Sequence, residues 1–143
     1  MDAQQKAIEV VNGMLTNDPY SQWLGVELLE VKPDQVRIAM TVREEMLNGF
    51  GVCHGGITFA FADSALAFAS NTSGRVTMSI DNSITYPVKI LAGERLVAQA
   101  RKLSGGGRIS VYQVVVSKAD DGQEAAHFKG TVYHTSKEHQ FHP

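Results

Sequence analysis

Cysteine is nearly absent: the 143 residues contain one, Cys53. A single thiol closes no internal disulfide, and such usage fits a reducing compartment. An excess of positive charge is also missing, with 13 Lys and Arg against 15 Asp and Glu for a net −2. Nucleic acid and anionic membrane surfaces are met by basic proteins, so neither is expected as a partner. Long apolar runs are lacking too. The most apolar stretch, residues 57–69, is interrupted by Asp63 and falls short of the about 20 residues a membrane helix needs. Residues 1–10 carry Asp2, Lys6 and Glu9, unlike a signal peptide. These absences predict a cytoplasmic location. No linker, repeat or low-complexity segment divides the chain, so residues 1–143 are expected to form one domain. The content, 43% hydrophobic and 20% charged, is that of a globular protein. A domain of this size buries close to ~70% of its unfolded surface and folds without a disulfide or metal.

What is present reads mostly as strands. Ala7, Val10, Val11, Met14 and Leu15 recur at helical spacing and predict a first amphipathic helix, stopped by Asn17-Asp18-Pro19. Val36, Ile38, Met40 and Val42 alternate with other residues as in a half-buried strand, with Gly25–Val31 as its hairpin partner. Further strands are expected over Arg75–Tyr86, Glu94–Leu103, Arg108–Ser117 and Glu124–His134. Ser104–Gly107 and Asp120-Asp121-Gly122 read as turns between them. Four consecutive strands on short turns imply an antiparallel sheet. Between the second and third strands lies GGITFAFADSALAFAS, residues 55–70, apolar on every side of the helical wheel. Such a helix is buried all round. The expected class is α+β, with about six antiparallel strands around one long central helix.

One charge interrupts that helix. From Met46 to Gly74, Asp63 is the only Asp, Glu, Lys or Arg. A buried carboxylate is costly unless paired, and a local hydrogen bond or a path to solvent is the bland explanation. The residues before it sharpen the alternative. Gly55-Gly56 opens the helix after His54, where the first N–H groups lack internal partners and the macrodipole is positive. That place can polarise a carbonyl and hold an oxyanion during acyl transfer. Asp63 follows Gly55 by eight residues, which is ~12 Å along the axis and about 80° around it. One Asp side chain does not span that gap. A second copy with its helix antiparallel would bring each Asp63 to the other chain's helix start, making two composite sites.

The segment MLNGFGVCHGGITFAFADSALAFASNTSG, residues 46–74, resembles the hot-dog-fold acyl-CoA thioesterases of the phenylacetic-acid-degradation (PaaI) type. Weaker similarity covers SIDNSITYPVKILAGERLVAQA and GGRISVYQVVV. Asn six residues before a His-Gly-Gly, with Asp nine after that His, is a specific combination. The resemblance implies a hot-dog fold, a homodimer pairing into a tetramer, and hydrolysis of acyl-CoA thioesters without metal or cofactor. It implies that Asp63 is the catalytic carboxylate, as nucleophile or general base. It assigns Gly55 as the carbonyl-polarising N–H, His54 as support for that site, and Asn48 as the side chain positioning Asp63 or water. Gly56 and Ser79 are expected at the substrate, Ser79 to position the water. Gly106, Gly107 and Arg108 resemble the region holding the CoA phosphates, within a basic group that includes Arg95, Arg101 and Lys102. Aryl-acetyl thioesters with a ring hydroxyl are the implied substrates. Phe50, Phe59 and Phe61 serve either the substrate or the core.

Thr77, Ser79, Asp81, Ser83 and Thr85 share one parity, so one strand face is lined by small polar groups or simply faces water. Cys53 and His54 are adjacent and, in extended backbone, point to opposite faces, which disfavours a nucleophilic pair. His134, His139 and His142 fall in a polar C-terminal stretch and read as surface residues rather than a metal set. Gly49-Phe50-Gly51 lacks the rest of a dinucleotide fingerprint. Three rivals stand: a non-catalytic acyl-CoA-binding module, a fatty acyl-CoA thioesterase, and a dehydratase with a different acid–histidine arrangement.

Overall fold

A computed structural model of the protein describes residues 1–141, so His142 lies outside the described residues. The elements run α1 (Ala3–Thr16), α2 (Pro19–Leu24), β1 (Glu27–Lys32), β2 (Gln35–Thr41), α3 (Gly55–Ser70), β3 (Arg75–Thr85), β4 (Arg95–Gly106), β5 (Ile109–Lys118) and β6 (Glu124–Glu138). Capping sets several boundaries. Asp2 and Gln5 form a capping box at the start of α1, whose Ala7, Val10 and Val11 face the core. Asn17-Asp18-Pro19 ends that helix as expected, but the same residues also begin α2. Asp18 accepts from the Ser21 N–H as N-cap and Pro19 occupies the first turn. Six residues are too few for periodicity to have revealed α2.

The sheet is antiparallel throughout, with strand order β1-β2-β4-β5-β6-β3. Chain order and spatial order part at β3, which pairs with β6 at the edge rather than with β4. The helix between β2 and β3 explains the jump. It fills one face of the sheet, and the chain emerges at the opposite edge. The Ser104–Gly107 segment is mostly strand, since β4 pairs with β5 as far as Gly106 opposite Ile109. Only Gly107 and Arg108 remain as the loop. Gly105 makes this tight return possible: its φ is +106°, and a Cβ there would lie 2.5 Å from the Ile109 carbonyl oxygen.

α3 packs against β2 to β6 and α1 and α2. Phe61 and Phe68 are wholly buried, with Phe128 of β6 and Tyr112 of β5 among the other large core side chains. At Gly130 of β6 a Cβ would lie 2.6 Å from Leu66 Cδ2, so α3 seats directly on bare backbone. The helix is not buried all round, however. Gly56, Phe59, Ala60, Asp63 and Ala67 form one half-covered or exposed stripe along it. The apolar wheel is explained on three sides by the sheet and α1–α2, while the fourth is open within one chain.

Candidate active site

His54 is the N-cap of α3, and its Nδ1 accepts from the Gly56 N–H at 2.9 Å. That bond takes up the Gly56 donor. The Gly55 N–H, at the first helical position, has no intrahelical acceptor, and no partner is found for it among the described residues. The Gly55 carbonyl accepts from the Tyr86 hydroxyl at 2.8 Å, and a Cβ on Gly55 would meet that ring at 3.3 Å. Tyr86 thus holds the helix start in place. Its contribution is invisible in the sequence because the two residues meet only through the fold. Burial raises the Tyr86 hydroxyl above its ordinary value, which keeps it a donor.

The loop leading into the helix is built on Asn48. Its Oδ1 accepts from Phe50 N at 2.9 Å and Val52 N at 3.4 Å, and Leu47 bridges to Cys53. Asn48 therefore lies at the Gly55 end of α3, and within one chain its side chain makes no bond to Asp63. Beside Gly55 is a cavity of about 260 Å³, lined by Cys53, Thr58, Tyr86 and Ile90 among others. Cys53 is held as a thiol, because burial raises its pKa, and it bonds Thr58 and the His54 carbonyl rather than the imidazole.

Asp63 lies elsewhere, on the open stripe. It borders a cavity of about 270 Å³ that also contains Ser70, Thr77, Met78 and Ser79. On its other side it borders a cavity of about 380 Å³ with Asp18, Tyr20, Ser21 and Phe59. Neither contains Gly55. Burial, and then the nearby Asp18 charge, raises the Asp63 carboxyl above the usual carboxylate range. No hydrogen bond to that carboxylate occurs among the described residues. The structure thus brings Asp63 and Ser79 to one cavity, and Asn48, His54 and Gly55 to another place. Phe59 lines the Asp63 cavity and packs edge-on against Phe128, Phe61 is core, and Phe50 is 92% exposed.

The polar face of β3 is not continuous. A bulge at Ile80 shifts the β3–β6 register, so Ser79 faces Val132 while Asp81 faces Thr131. A one-residue shift exchanges the faces of a strand. Thr77 and Ser79 point to α3, and beyond the bulge Asn82 and Ile84 take that side, opposite Gly130 and Phe128. Asp81, Ser83 and Thr85 are turned to the other face.

The basic residues disperse. Arg95 pairs with Glu27 at the far end of β4, and Arg101 donates to Gln113. Arg108, in the loop with Gly107, donates to the His134 carbonyl at 3.2 Å and Ser136 Oγ at 3.0 Å. Arg75, unremarked in the sequence, donates to the same carbonyl at 3.1 Å and to Gly107 O at 3.4 Å. Two guanidiniums therefore converge beside Gly106 and Gly107. His134 belongs to β6, not to a tail. Its ring bridges Thr77 Oγ1 and Ser110 Oγ, at 2.8 and 2.9 Å, and burial and Arg75 lower its pKa. His139 Nε2 bonds Asn71 Oδ1. Both differ from free surface histidines because these side-chain bonds hold their rings against α3's C-terminal end and the β3–β6–β5 strands. Among the described residues no three His, Cys, Asp or Glu side chains gather as a metal-ligand set, and no helix is long and apolar enough to cross a membrane.

A six-stranded antiparallel sheet packed on one central helix, with glycines at the helix start and a carboxylate midway, defines the hot-dog class. Residues 50–125 match the thioesterase superfamily family model. The chain belongs to that superfamily and is an acyl-CoA thioesterase of the PaaI type. A protein of Archaeoglobus fulgidus is 37% identical over 134 residues, covering 94% of this chain and 86% of its own. The acyl-coenzyme A thioesterase PaaI of Escherichia coli is 32% identical over 111 residues, 78% of this chain and 79% of its own. The structure of the E. coli PaaI protein superposes with TM-score 0.92 over 96% of this chain and 99% of its own, at 28% identity.

Proposed function

We propose that the protein hydrolyses acyl-CoA thioesters, of the aryl-acetyl kind with a ring hydroxyl, at two composite sites of a homodimer. The observation that carries this reading is the separation of the two functional halves along α3: a free Gly55 N–H at its start and Asp63 on an open stripe in its middle. A helix is a straight rod, so one chain cannot fold them together. A two-fold partner with its α3 antiparallel can.

In that assembly the Gly55 N–H of one protomer polarises the thioester carbonyl, held where His54 and Tyr86 fix the helix start. Asn48, at the same end, faces the reacting water or the partner's carboxylate. Asp63 of the other protomer acts as general base. Its cavity is polar and roomy enough for water, with Thr77 and Ser79 to orient it. The base takes a proton from water as the oxygen bonds to the carbonyl carbon. The oxyanion rests on Gly55 N–H. The carbon–sulfur bond then breaks, and the thiolate recovers the proton from Asp63. Arg75 and Arg108, beside Gly106 and Gly107, supply charge for the CoA phosphates.

The pairing is supported by β3. It is an eleven-residue edge strand with Met78 and Ile80 more than half exposed, and a long unpaired edge invites a second strand. Pairing of dimers into a tetramer and a cytoplasmic location complete the reading, with no cofactor beyond the substrate's own CoA.

Release of free thiol from aryl-acetyl, benzoyl and fatty acyl-CoA substrates tests it. Faster turnover of hydroxylated aryl-acetyl thioesters, and about 100-fold or greater loss of kcat in Asp63→Asn, are expected. No turnover of any substrate points to a binding module instead, and a preference for long fatty chains overturns the acyl assignment.

A further inference from the structure

Asp63 is not the only carboxylate on its cavity. Asp18, the N-cap of α2, borders the same space of about 380 Å³. Its position is fixed on both oxygens: Oδ1 accepts from Ser21 N at 2.9 Å and Oδ2 from Ser21 Oγ at 2.6 Å. Ser21 Oγ in turn lies 2.8 Å from Ser64 Oγ. Ser21 is 1% exposed and Ser64 9%, so this hydroxyl chain is buried. Ser64 is the residue after Asp63 on α3. The chain therefore ties one carboxylate to the turn of helix that carries the other.

A cap for a six-residue helix needs only a side-chain oxygen, and Ser or Asn caps as well as Asp. A negative charge here is costly, because it faces a second carboxylate across a partly buried space. Within one chain, among the described residues, the walls around Asp63 hold no cationic side chain to offset it. α2 contributes Asp18 and Tyr20. α3 contributes Asp63 as its one ionisable side chain. β3 contributes Thr77, Met78 and Ser79, and β6 Val132. No Lys, Arg or His is among these residues.

We propose that Asp18 is a positioning residue for the hydrolysis: its fixed charge, tied beside Asp63 through Ser21 and Ser64, strengthens Asp63 as the acceptor of the water proton. This rests on Asp63 being the catalytic carboxylate. The raised carboxyl of Asp63, to which the Asp18 charge contributes after burial, agrees with it. A better base moves a proton more readily as long as it stays ionised at the working pH.

The test is a carboxyl-carbon NMR titration of the full-length protein carrying 13C-aspartate, with the Asp63 resonance assigned by its loss in Asp63→Asn. In Asp18→Asn and Asp18→Ser, both of which preserve a cap, the Asp63 midpoint moves to lower pH. The acid limb of kcat/KM moves with it, so that the ratio of rates at pH 5 and pH 8 rises about twofold or more. A purely structural role for Asp18 lowers rates equally at every pH and leaves the midpoint in place. An unmoved midpoint overturns the proposal, as does a midpoint that moves while the kinetic limb does not. Full turnover by Asp63→Asn would instead overturn the catalytic reading of Asp63, a failure separate from that of Asp18 because the NMR midpoint needs no activity.

Discussion

Asp63 destabilises the fold that carries it. Its folded pKa is raised, first by burial and then by Asp18, so the folded state binds its proton more tightly than the unfolded chain does. Stability from this group is present below the unfolded pKa and is lost as pH rises through the folded value. Asp63→Asn removes that loss. Denaturation of the variant is expected to show greater stability than wild type at pH 7, with the difference shrinking toward pH 4. At the start of α3, Gly55→Pro deletes the N–H that the proposed mechanism uses while respecting the helix. Proline is accepted at the first helical position, and His54 before it is already extended at φ −61°, ψ 134°. Steady-state kinetics should show about 10²- to 10³-fold loss of kcat with little loss of helix signal by circular dichroism. Asp63 and Gly55 were visible in the sequence as candidates, the first because charge is rare around it and the second because a glycine pair opens an apolar run. Tyr86, Arg75 and Asp18 were not, since each acquires its meaning from a partner distant in sequence. Asp18 read only as part of a stop signal.

Among the elements, α3 was the most legible and β3 the least. Sixteen residues rich in Ala and Phe, opened by a glycine pair and followed by a polar segment, leave little choice of structure. β3 alternates cleanly, but the bulge at Ile80 inserts one residue that no composition marks, and the alternation then reports the wrong face for Asp81, Ser83 and Thr85. Strand order was likewise beyond pattern, because turn signals tell where the chain reverses and not which neighbour it meets. Two changes probe these elements. Gly130→Ala places a methyl against Leu66 and Asn82 Oδ1, and overpacking where α3 seats on β6 should cost about 1–3 kcal/mol in denaturant unfolding. Met78→Lys with Ile80→Lys puts like charges on the β3 edge. Light scattering should then report monomers, and turnover should fall with the dimer even though Asp63 and Gly55 are untouched.

For the whole molecule, the proposed function gives one chain both halves of the chemistry and neither complete site. Its open helix stripe, its unpaired β3 edge and the separate cavities at Gly55 and Asp63 are three views of that incompleteness. Mixing two inactive proteins tests it most directly. Asp63→Asn and Gly55→Pro chains, denatured together in equal amounts and refolded, form heterodimers in which one site carries both defects and the other none. With random pairing, about a quarter of wild-type activity should return, since half of the dimers then hold one good site of two. Activity that stays at the level of the parent variants, in a mixture shown by mass spectrometry to contain the heterodimer, would mean that each chain builds its site alone.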